Sequence, residues 1–134
     1  MTSCIFDGAS MAATVLRVRD VGASIFWYRD KLGLTPIHVG ADGPDHPFAS
    51  FVIAGSVVSL WQTPLGAARS PKDAETSTYV VVVLDADLGR LRRELIERGV
   101  AVGEVRQSAN NEFVWLYDLD GNRFELTHPS TRAG

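Results

Sequence analysis

A chain of 134 residues, 46% hydrophobic and 22% charged, has the balance of one compact soluble domain or of two small modules sharing a core. Its net charge of -3 leaves no basic footprint, so nucleic acid is not an expected partner. Cys4 is the only cysteine, which excludes an internal disulfide and a cysteine-based zinc site. No apolar run approaches the roughly 18 residues of a membrane span. "MTSCIFDGASM" lacks the basic start and long apolar stretch of a secretory signal, and a cytoplasmic protein with no membrane partner is expected.

Residues 13–19 alternate as a strand does, with Val15 and Arg17 on one side and Leu16 and Val18 on the other. Asp20 is placed to cap a helix running through Ile25, Phe26 and Tyr28 to Leu32, and Gly33 is its stop. Short strands are predicted in "LTPIHVG", "FASFVIAG" and "VVSLWQ", separated by Gly, Asp and Pro signals. A Pro/Ala/Ser-rich connector follows at about 63–76, with neither helix nor strand pattern.

From Thr78 the order repeats. "TYVVVVLD" predicts a strand, Leu88, Leu91, Leu95 and Ile96 an amphipathic helix, and Gly99 its end. "GVAVGEVRQ", "EFVWLYD" and "NRFELTH" supply later strands. The fold class expected is therefore α+β, built from two βαβββ modules at about 12–62 and 77–128 within a single domain.

"VLRVRDVGASIFWYRDKLGL" in the first half and "LYDLDGNRFEL" in the second resemble the vicinal oxygen chelate superfamily of glyoxalases, extradiol dioxygenases and fosfomycin- and bleomycin-resistance proteins. Leu119 stands where the family motif usually has Pro. The resemblance implies curved sheets that pair into a ligand-binding cup, commonly closed by a homodimer. In metal-dependent members it also implies four side-chain ligands, which map here onto Ala13, Ser59, Thr78 and Glu125. Ala has no donor atom and neutral hydroxyls are weak ligands for transition metals, so no metal and no cofactor are expected. His38, His46 and His128 form no pair at metal-ligand spacing.

Strand parity then assigns Val15, Arg17, Ser59, Trp61, Val80, Val82, Arg123, Glu125 and Thr127 to the cup, together with Phe113, Trp115 and Tyr117. Leu16, Val18, Val58, Leu60, Val81, Val83, Phe124 and Leu126 are assigned to the helix side. Trp61, Phe113, Trp115 and Tyr117 would wall an apolar cup suited to a flat organic ligand, with Ser59, Arg17, Arg123 and Glu125 as its polar groups. Arg17 and Arg123 are the candidates to neutralise Glu125. Trp27 and Tyr28 are read as packing or dimer-contact residues.

Three functions follow from these residues. One is a metal-free protein that sequesters a flat aromatic molecule, with antibiotics among the candidates. The second is an enzyme, either with a relocated metal site or with Glu125 as general base. The third is a sensor or interaction domain.

Overall fold

The computed structural model describes residues 4–63 and 78–129, so most of the expected connector lies outside the described residues. The first module comprises β1 (Thr14–Val18), α1 (Val21–Leu32), β2 (His38–Ala41), β3 (Pro47–Ile53) and β4 (Ser56–Gln62). The second comprises β5 (Val80–Val83), α2 (Leu88–Glu97), β6 (Ala101–Val102), β7 (Arg106–Gln107), β8 (Asn111–Tyr117) and β9 (Arg123–Pro129). Asp20 and Asp87 cap the helices by accepting from the backbone of Ala23 and Arg90. "GVAVGEVRQ" gives two short strands rather than one. Gly103 between them still donates to the Trp115 carbonyl, but its own carbonyl turns to Arg92 Nε on α2.

The first sheet has the order β1-β4-β3-β2 and the second β5-β9-β8-β6, with β7 also on β8. In each, the first strand runs parallel to the last strand of its module and forms a sheet edge, whereas the other pairs are antiparallel. The modules are thus two copies of one α+β unit, as the repeated pattern predicted.

One buried cluster joins them. Leu16, Val18, Ala49, Phe51, Val58 and Leu60 come from the first sheet, Leu116 and Phe124 from the second. Tyr28 of α1 lies between, stacked on Phe51 at 5.2 Å and edge-on to Phe124 at 6.2 Å. The helix-side faces of both sheets therefore turn toward a shared core. Because side chains alternate along a strand, the opposite faces, carrying Ser59 and Glu125, point away from that core on either side.

The parity of β5 is the reverse of the expectation. Val80 pairs in register with Phe124 and Val82 with Leu126, so both face the helices. Val81 and Val83 instead pair with Glu125 and Thr127 and share their outer face. The cause is the strand-to-helix connection. Val15, the register partner of Ser59, lies five residues before its helix cap, whereas Val81, the partner of Glu125, lies six before Asp87. One extra residue reverses every side chain of a strand counted back from the cap.

Candidate functional site

The "DLDGN" motif is a clasp that fixes where β9 begins. Asp118 Oδ1 accepts from the backbone of Asp120 and Asn122 at 2.9 and 2.8 Å. Its Oδ2 accepts from Tyr28 Oη at 2.6 Å and from Asn122 Nδ2 at 2.9 Å. Asp120 in turn accepts from the backbone and Nε of Arg19, and Asn122 donates to the Arg17 carbonyl. The loop of the second module is thereby tied to β1 and α1 of the first. Burial, and next the charge of Asp118, push the Tyr28 hydroxyl well above its ordinary value, so it stays a donor. A hydrogen bond to a buried carboxylate of this kind is worth about 1.5–3 kcal/mol.

With β9 so placed, its outer face carries Arg123, Glu125 and Thr127, and Trp115 and Phe113 of β8 stand opposite Glu125 and Thr127. Trp115 Nε1 donates to Glu125 Oε1 at 2.9 Å and Thr127 Oγ1 donates to Oε2 at 3.0 Å. Glu125 is thus held by an indole and a hydroxyl rather than by the expected arginines. Arg123 instead lies between two rings, 4.1 Å from the Tyr79 centroid and 4.4 Å from that of Trp115. Arg106 of β7 adds a second cation 5.6 Å from the Trp115 centroid. Phe113 leans against Trp115 at 6.0 Å, and Tyr117 shares their parity. The result is an aromatic wall with a positive stripe.

The first sheet presents a separate half. Trp61 stacks on Phe48 at 5.0 Å with the planes 12° apart, and the His38 ring lies 5.3 Å beyond Phe48. Gly40 makes this possible: a β-carbon there would meet the Phe48 ring and His38 Nε2 at 3.1 Å. Val15, Arg17 and Trp61 line an open hollow of about 360 Å³ with Asp42 and His46. Ser59 is buried and shares a 2.7 Å hydrogen bond with Ser50. Trp61, Arg17 and Ser59 thus lie on one outer face, and Phe113, Trp115, Tyr117, Arg123 and Glu125 on the other. The two groups therefore belong to different sheets.

The donor set offered to a divalent metal follows from the registers. Ala13 lies two residues before the partner of Ser59, and the same relation in the second sheet gives Tyr79, not the expected Thr78. The four positions then offer a methyl, a hydroxyl bonded to Ser50, a phenol beneath Arg123, and a carboxylate engaged by Trp115 and Thr127. This set does not fit a catalytic divalent ion, which needs several nitrogen or carboxylate donors. Among the described residues no group of three or more His, Cys, Asp and Glu side chains converges elsewhere. His128 is turned to the Leu84 carbonyl.

Two residues of the site escape sequence reasoning. Tyr79 is hidden by the reversed parity of β5, and counting the strand-to-cap distance is the signal that exposes it. Arg106 sits in a strand two residues long, too short for periodicity to announce.

Paired βαβββ modules, joined back to back and carrying an aromatic face beside the "DLDGN" clasp, define the class of protein. The chain belongs to the glyoxalase/bleomycin resistance protein/dioxygenase superfamily, whose family model matches residues 10–126. No protein of curated function resembles it closely enough in sequence to count as a match. Among solved structures it is similar to a glyoxylase/bleomycin resistance protein/dioxygenase domain from Frankia sp. EAN1pec, with 19% identity, a TM-score of 0.74, and 93% of this chain and 95% of that one covered. It is also similar to the fosfomycin resistance protein FosX from Listeria monocytogenes, with 15% identity, a TM-score of 0.68 and coverage of 92% and 95%. A third similar structure is TnmS3, an antibiotic binding protein from Streptomyces sp. CB03234, with 21% identity, a TM-score of 0.67 and coverage of 91% and 97%. At these identities the likeness concerns the fold. No helix of the described residues is long and apolar enough to cross a membrane.

Proposed function

We propose that the protein is a metal-free homodimer that sequesters a flat aromatic small molecule, an antibiotic being the leading candidate. The carrying observation is the outer face of the second sheet, where Tyr79, Phe113 and Trp115 surround a fixed Glu125 and a sandwiched Arg123. Such a surface offers stacking and a few oriented polar groups, which is what a planar ligand requires. Supporting it, the ligand positions of metal-dependent relatives hold no adequate donor set, and the similar fold of TnmS3 belongs to an antibiotic binding protein.

The same geometry supports the homodimer. Each chain leaves two half-cups open, and a second copy would complete both by setting its Trp61 face over the Trp115 face of the first chain and its Trp115 face over the Trp61 face. Glu125 as the general base of an enzyme is less well supported, because both of its oxygens already accept hydrogen bonds and so have fewer lone pairs for a substrate proton.

A thermal-shift screen against planar aromatic natural products tests the reading, since a ligand of the folded state raises apparent stability by mass action. A hit should quench tryptophan fluorescence, saturate at two ligands per dimer and be recovered chemically unchanged. Recovery of a converted product would replace sequestration by catalysis.

A further inference from the structure

Among the described residues Arg123 has no conventional partner. Only 6% of the residue is exposed, its Nε is buried without a hydrogen bond, and no ion pair among the described residues involves it. Its contacts are the faces of Tyr79 and Trp115, which hold the guanidinium plane and leave its N–H edge as the part that still needs an acceptor. The carboxylate two residues along the same face, Glu125, is committed to Trp115 and Thr127. A buried cation in this state lacks the compensation that buried charges normally have.

We propose that Arg123 receives an acidic oxygen of the bound molecule, so that the ligand class is a planar aromatic carrying a carboxylate or an ionised phenol. This inference rests on the reading of that face as an aromatic-ligand site and narrows it. Stacking and charge recognition are adjacent here, because Trp115 is at once a wall for a ring and one of the plates that hold Arg123. Arg106, also against Trp115, makes the sum of the formal charges on this face +1, counting Arg106, Arg123 and Glu125. An anion is therefore favoured over a cation, although Glu125 stands beside Arg123. A guanidinium whose plane is already fixed loses little freedom on binding a planar oxyanion, which a lysine could not match.

The test compares anthraquinone-2-carboxylate with its neutral isostere anthraquinone-2-carboxamide, and 2-naphthoate with 2-naphthamide as a smaller pair. Tryptophan quenching and calorimetry on the full-length protein supply the affinities. In the wild type each acid should bind about ten- to a hundredfold more tightly than its amide, the range of a charge-assisted hydrogen bond. Arg123→Gln should erase that preference and leave amide affinity within about threefold, whereas Arg106→Gln should weaken the preference without removing it. Equal binding of acid and amide by the wild type overturns the inference and leaves the aromatic site standing, an outcome that does not depend on any variant folding. Persistence of the preference in Arg123→Gln, or its loss in Arg106→Gln, also overturns it. If Arg123→Gln instead dissociates the dimer while the acid preference remains, the arginine serves the subunit contact and the inference fails. Binding of none of the four probes at millimolar concentration overturns both this inference and the aromatic-site reading.

Discussion

Trp115 and Glu125 face each other across β8 and β9, and the indole Nε1 donates to Glu125 Oε1 at 2.9 Å. The pair makes the aromatic wall and the acid one unit: removing the N–H frees the carboxylate, and removing the acceptor frees the ring. Trp115→Phe keeps an aromatic wall but deletes the donor. It should lower unfolding stability by about 1–2 kcal/mol in urea, because Glu125 keeps only Thr127 at a half-buried site. Glu125→Gln should cost less, about 0.5–1 kcal/mol, since its amide oxygen still accepts from the indole. It should also leave ligand affinity nearly intact. A Glu125→Gln protein that binds normally but loses a measurable turnover would instead identify Glu125 as a base.

A second expectation concerns metals. Protein produced in medium supplemented with zinc, iron, manganese and nickel should show none of them at one equivalent by elemental analysis. The physical ground is the set Ala13, Ser59, Tyr79 and Glu125, of which only the last is a strong ligand and is otherwise engaged. Stoichiometric metal whose removal abolishes ligand binding would refute the metal-free reading.

Much of the fold is legible in the chain because the information is local. Asp20 and Asp87 are adjacent in sequence to the helices they cap, and the period-2 patterns of "LRV" and "FVWLY" survive intact in β1 and β8. Parity across β5 is not local. "VVVV" is apolar at every position, so either set of valines fits a core, and the register comes only from pairing with β9. The back-to-back arrangement of the sheets is equally hidden. It depends on Tyr28 reaching Phe51, Phe124 and Asp118, and on Ser24 of the same helix reaching Asp120, 96 residues away in sequence. Sequence patterning says which side of a strand is apolar, but not which neighbour covers it. The site suffers in the same way: the family motif points to Glu125 and parity to Trp115, but their hydrogen bond and the Tyr79–Arg123 contact arise only once three strands are in register.

The Tyr28 contact carries a prediction about alkaline pH. Its hydroxyl titrates well above 10.0 in the folded state because of burial first and the Asp118 charge second, while in the unfolded chain it titrates near the ordinary value. Below pH 10 both states hold the proton and stability is independent of this group. Above it, the unfolded chain loses the proton while the folded one retains it, so stability falls as pH rises. Tyr28→Phe should flatten that limb of the stability-pH curve. At neutral pH the same substitution should cost about 1.5–3 kcal/mol, because Asp118 loses a charged-group hydrogen bond in a buried setting. An unchanged alkaline slope would mean that another group is responsible.

The last prediction concerns where a complete cup resides. Val81 and Val83 on the edge strand β5 are 50% and 64% exposed, and Val15 on the edge strand β1 is 47% exposed. Unpaired strand edges flanked by exposed valines are poor terminal surfaces and call for a covering layer. Light scattering should therefore give twice the 14.6 kDa of one chain. Val83→Lys should shift the protein toward monomer without unfolding it, because the side chain is already largely exposed in one chain. The decisive experiment mixes two inactive proteins, Trp61→Ala and Trp115→Ala. If a cup draws Trp61 from one protomer and Trp115 from its partner, the mixed dimer has one intact cup and one doubly deficient cup. Binding should then reappear at one ligand per mixed dimer, against none for either parent. If each cup were built within one chain, every chain in the mixture would lack one tryptophan and binding would stay absent.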